Sequence, residues 1–213
     1  MKKILFIAFL ALGMSAMAQH VTPLAIELTD LKIDSLRTLY VTEPTMYRAS
    51  LDVVSQSLAK NAEEIKAAKA ELKAEQAHAK EMGNSLKEAT KMTASLKKLY
   101  AKEESELKSM QKVVEKQQKT LNKQKELNQE TRDNYLQLLD KQQKELGYSI
   151  REVADRQRSI SDMETTLQNG QTNLQSYIQE TQQKAVELAQ LEAELKARTA
   201  TLKAEQKSAK SMQ

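Results

Sequence analysis

Residues 51–72 read LDVVSQSLAKNAEEIKAAKAEL, with Leu51, Leu58, Ile65 and Leu72 at a strict seven-residue interval. The same step continues through Ala79, Leu86, Thr93, Tyr100, Leu107, Val114, Leu121, Asn128 and Tyr135. Only Thr93 and Asn128 in that series are neither apolar nor aromatic. A second series runs Leu146, Val153, Ile160, Leu167, Leu174, Thr181, Leu188, Leu195, Leu202 and Ala209, broken by Thr181 alone. A sustained heptad places one apolar seam along a slightly under-wound helix and keeps it facing a partner. A lone helix would have nothing to pack that seam against, so it demands a second helix.

Composition agrees. The 213 residues are 29% charged and only 4% aromatic, with 4 Gly, 2 Pro and no Cys or Trp. So little turn chemistry argues against all-β and α/β folds. The pattern predicts an all-α chain with a short irregular N-terminal segment. The rest is an elongated coiled coil, read either as a long antiparallel helical hairpin or as a continuous rod.

The companion positions, three residues further on, are weaker. They include Asn61, Glu75, Glu103, Gln117, Gln124 and Thr131. Polar seam residues cost stability but fix register, and Gln117 to Thr131 is polar enough to be locally loose. The two series also differ in phase. The first ends at Tyr135, and the new phase starts at Leu139 or Leu146, which signals a stutter or a chain reversal.

Gly83, Gly147 and Gly170 each precede a motif with the spacing of a capping box, beginning at Ser85, Ser149 and Thr172. The seam passes Gly83 and Gly170 in phase, so Gly147 is the candidate turn. The expected organisation is an N-terminal arm over 19–44, one helix over 45–146, a tip or stutter at 147–148, and a second helix over 149–213. A near-repeat occurs at 70–82, AELKAEQAHAKEM, and 200–212, ATLKAEQKSAKSM; its end residues Met82 and Met212 are equidistant from Gly147, which suggests matched arms or chance similarity. Within the N-terminal arm, Leu24, Ile26 and Leu28 alternate as in a strand or extended segment, and Asp34 or Ser35 could cap a short helix. Glu43-Pro44 ends that unit, because a residue before proline is pushed out of the α region.

Residues 1–18 look like a cleaved secretory signal peptide. Lys2 and Lys3 precede the apolar run Ile4–Leu12, and Ala16-Met17-Ala18 has the small-x-small form of a cleavage site. The uncharged stretch Ile4–Gln19 is 16 residues, short of the ~20 that span a bilayer. After cleavage no transmembrane segment is expected, and the product would be periplasmic or secreted.

Chemistry-bearing motifs are scarce. His20 and His78 do not make a metal cluster, and His78 reads as a solvated residue. Carboxylates such as Glu104 and Glu115 are spaced to pair with Lys108 and Lys119 one helical turn on. No nucleotide-loop, nucleophile-elbow or zinc-protease motif occurs. The expectation is no catalytic residue, no cofactor and no metal.

Residues 60–125 carry 16 basic and 10 acidic groups, which leaves a weak option for contact with an anionic envelope surface. The scarcity of Arg and aromatics, together with export, argues against nucleic acid. Partners are expected to be proteins, or further copies of the chain, joined through the coiled coil. The leading expectation is an exported, non-enzymatic coiled-coil protein serving as a scaffold or tether in the bacterial cell envelope. The alternative is a holdase-like periplasmic chaperone whose helical arms bind unfolded clients. In outline the signal peptide, basic chain and helical hairpin resemble the tentacled periplasmic chaperones. That resemblance implies a β-rich oligomerisation body, for which only Leu24–Leu28 offers strand-like alternation.

Overall fold

The computed structural model describes residues 21–124 and 126–211. The expected signal peptide, the cleavage site, His20 and Met212 lie outside the described residues. The fold is all-α: helix α1 (Ile33–Thr42), helix α2 (Pro44–Lys123) and helix α3 (Gln129–Ser211), the two long helices packed against each other as an antiparallel hairpin.

The break between α1 and α2 follows from Pro44. Glu43 takes φ −145° and ψ 79°, and its N–H closes α1 on the Leu39 carbonyl at 2.7 Å. The Glu43 carbonyl then accepts the Tyr47 N–H at 3.0 Å in the first turn of α2. At the other end of α1, Asp34 and Ser35 lie inside the helix, and the N-terminal boundary residue is Lys32, without a side-chain cap.

The chain reverses at 124–128, not at Gly147. The helix expected over 45–146 ends at Lys123, and Gln124 N–H returns to the Leu121 carbonyl at 3.2 Å. Asn128 opens α3: its Oδ1 accepts the Glu130 N–H at 3.0 Å and its carbonyl accepts the Arg132 N–H at 3.0 Å. This is side-chain capping of donors that have no partner inside the helix, with Glu130 placed favourably at the positive end of the dipole. The polar stretch read as loose is therefore where the chain turns.

Gly147 lies within α3 in ordinary helical backbone. The expected capping boxes do not form there either. Ser149 Oγ donates back to the Glu145 carbonyl and Thr172 Oγ1 to the Gln168 carbonyl, both at 3.2 Å, as hydroxyls do inside helices. The arms are not matched about Gly147. Glu75, in the first near-repeat, meets Lys184, whereas Glu205, in the second, meets Tyr47.

By contact density the described residues form two units, one within 83–172 and one of residues 21–82 with 173–211. In the second, Leu51, Leu58, Ile65 and Leu72 from α2 pack with Leu188, Leu195 and Leu202 from α3, joined by Leu36 and Tyr47. Leu24, Ile26 and Leu28 of the N-terminal segment pack on this core. They do so as extended chain; no strand forms among the described residues. In the first unit, Tyr100, Val153 and Ile160 form the core with Leu96, Leu107 and Met163 beside them, while Leu86, Ala89, Thr93 and Leu167 are buried elsewhere along it.

A Cβ added at Gly147 would meet nothing within 4 Å. Gly147→Ala should therefore stabilise the protein by about 1 kcal/mol, and Asn128→Ala should destabilise it by a similar ~1 kcal/mol, both read as shifts in the urea midpoint. A loss of stability in Gly147→Ala would argue that a turn belongs there.

Candidate interaction surface

The seam residues named from the heptads fall into two groups. Leu51, Leu58, Ile65, Leu72, Leu86, Val114, Val153, Ile160, Leu167, Leu188, Leu195 and Leu202 are buried. Leu107, Leu121, Leu146 and Leu174 are half-buried. The antiparallel register that buries them is marked by ion pairs across the hairpin: Lys69 with Glu192, Lys97 with Glu164 at 2.8 Å and Arg156 with Glu103 at 3.9 Å. Lys69, then Lys196, hold the Glu192 carboxyl below the usual range.

Polar seam residues in the second unit carry out a task that periodicity did not reveal. Asn61 is buried and binds the extended N-terminal segment with both ends of its amide. Its Oδ1 accepts the Thr29 N–H and hydroxyl at 2.9 Å, and its Nδ2 donates to the Glu27 carbonyl at 3.0 Å. From α3, Arg198 donates to the Leu28 and Thr29 carbonyls at 3.0 and 2.5 Å. Glu75 accepts the Thr22 N–H at 3.2 Å. A segment without a ladder partner thus has backbone groups satisfied by side chains from both long helices.

Lys184 is 4% exposed, which is unusual for a lysine. Its ammonium lies 2.9 and 3.0 Å from the two Glu75 oxygens and 3.5 Å from Glu71. Beside this pair, the His78 ring stands edge-on to Tyr177 at 6.4 Å. His78 is half-buried rather than solvated, and its Nε2 is enclosed without a hydrogen-bond partner. Burial first, then the charges of Glu75 and Glu180, push the Tyr177 hydroxyl above its ordinary pKa. No group of three or more potential metal ligands occurs among the described residues.

Towards the turn, within the first unit, the packing changes. The companion row of α2 is buried at Ala89, 0% exposed, and half-buried at Leu96, but the equivalent Met110 is 57% exposed. Val113 is 54% exposed beside it. On α3, Tyr135 and Leu138 are exposed because they follow the first heptad phase. That phase ends with α2, and past the turn α3 follows the second through Leu139 and Leu146, which are half-buried. Between the arms lies an open groove of about 610 Å³ lined by Ser109, Met110, Val113 and Val114 from α2 and by Gln142, Glu145, Leu146 and Ser149 from α3.

The last polar cross-arm contact before this groove is at Glu104, which accepts from Gln157 at 2.9 Å. Lys108, then Gln157, hold the Glu104 carboxyl below its usual range. The expected Glu104–Lys108 pair forms within α2; Glu115 and Lys119 do not come within ion-pair distance among the described residues. No helix among the described residues is long and apolar enough to cross a membrane. No family model matches the chain, and comparison with curated proteins and with solved structures finds no similar protein.

Two outcomes follow for the polar cluster. Glu75→Gln should destabilise the protein by roughly 2–3 kcal/mol, because it leaves the buried Lys184 ammonium only the longer contact to the more exposed Glu71. The joint replacement Glu75→Leu with Lys184→Met should recover most of that loss in chemical denaturation. The site favours the neutral Tyr177 phenol, so its contribution is present below about pH 10 and is lost as pH rises through the raised value. Tyr177→Phe should therefore show a smaller fall in urea midpoint between about pH 8 and pH 10.5 than the parent chain.

Proposed function

We propose that the protein is exported and acts as a non-enzymatic scaffold or tether in the bacterial cell envelope, through helix–helix association. The observation that carries this reading is the contrast along the seam. Where α2 and α3 bury their apolar rows in one another, the hairpin is self-sufficient. Near the turn it presents Met110, Val113 and Leu146 in an open groove, the kind of surface that takes a further helix. The secretory pattern of residues 1–18 supports placement outside the cytoplasm, in the periplasm or beyond.

The alternative, a holdase-like chaperone, draws on the same groove, since an adaptable Met-bearing surface suits varied apolar segments. Tagged full-length chain expressed in a bacterium should appear in the envelope fraction with its mass reduced by residues 1–18. A photo-cross-linker at Val113 should join it to discrete folded partners. Unprocessed chain confined to the cytosol would overturn the reading. Suppression of client aggregation without any discrete partner would favour the chaperone.

A further inference from the structure

We propose that the groove near the turn is filled by the same region of a second copy, the two hairpin ends lying side by side with their turns at the same end, as a four-helix bundle. The inference deepens the scaffold reading and rests on it. Its first support is the incomplete core. Between Leu107 and Ser149, Val114 is the one buried apolar residue among those described, although Met110, Val113, Tyr135 and Leu138 add exposed apolar surface. A two-helix layer this thin leaves one side of its apolar row wet; a second layer covers it.

The second support is charge. Residues 107–123 of α2 carry five lysines and one glutamate, whereas residues 126–149 carry five acidic and three basic groups. Within this stretch of α3, Lys144 pairs with Asp140, and this holds the Lys144 ammonium above its ordinary pKa. Lys112, Lys116 and Lys119 reach no carboxylate among the described residues, and Glu130, Asp133 and Glu145 reach no cation. The two arms are thus oppositely charged but do not neutralise each other across the groove. A two-fold axis parallel to the helices sets the lysine arm of each copy beside the acidic arm of the other, whereas an antiparallel overlap would set like-charged arms together. Such an isologous contact satisfies both arms at once.

The size also suits a second copy. A face about 30 Å long and two helices wide is about 600 Å² in projection, near the ~800 Å² that each partner buries in a stable interface. The flanks of the groove are long, charged side chains, which suits a bundle with an apolar centre and ionic edges.

Charge exchange tests this in the chain from residue 19 onward. One variant carries Lys112→Glu, Lys116→Glu and Lys119→Glu; the other carries Glu130→Lys, Asp133→Lys and Glu145→Lys. Sedimentation equilibrium should show a dimer for the parent chain and at least about tenfold weaker association for each variant alone. An equal mixture of the two should restore dimers as one-to-one heterodimers, which also establishes that both variants are folded. A parent chain that stays monomeric at about 100 µM would overturn the inference, as would a mixture that fails to associate. Dimers unaffected by either variant would overturn the groove assignment while leaving the scaffold reading standing. Monomeric parent chain that binds unfolded clients at Val113 would assign the groove to a client instead.

Discussion

The apolar seam between α2 and α3 is the interaction on which the other features depend. Each fully buried leucine or isoleucine contributes roughly 1.5–3 kcal/mol relative to exposure, and most of the buried large apolar residues among those described lie along this seam. The seam also sets the geometry. Once Leu72 and Leu188 share a core, residues at fixed offsets from them must face each other, and Lys69 meets Glu192 as a consequence. The ion pairs report the register more than they create it, because exposed pairs contribute little.

Polar residues in the seam make the register unique. A row of leucines accepts a one-heptad slip at small cost. Lys184 does not, because it is buried and meets Glu75 and Glu71 of α2 at one alignment only, and Asn61 bears on the register only through the N-terminal segment that Arg198 of α3 also binds. Asn61 and Arg198 also hold the N-terminal segment in place without a sheet. Leu24, Ile26 and Leu28 then cover the hairpin core as a third layer, and their alternation serves an extended strap as well as it would a strand.

The same logic accounts for the weakness near the turn. The buried companion row ends after Ala89 and half-buried Leu96, cross-arm polar contacts among the described residues end at Glu104, and Met110 and Val113 beyond stand in solvent. The bundle thins where the chain must reverse without Gly or Pro, on a polar segment capped by Asn128. A surface that is apolar at its centre, divided in charge and only partly packed has the attributes of an association site rather than of a finished core.

The seven-residue period by itself determined the fold class and most of the buried seam, because a recurrence every second turn keeps one side of a helix toward a partner, although in-phase Tyr135 is exposed. Pro44 likewise marked a helix boundary, since its ring forbids a helical residue before it. The phase shift announced a discontinuity but not its place. Gly147 was the conspicuous residue, yet an isolated glycine costs a packed helix only about 1 kcal/mol, less than burying the half-turns around it returns. The reversal went to 124–128 because a chain can turn there without sacrificing seam contacts. The strap's docking, the burial of Lys184 and the enclosure of His78 were decided by tertiary structure alone, for each depends on residues far apart in sequence meeting across the hairpin.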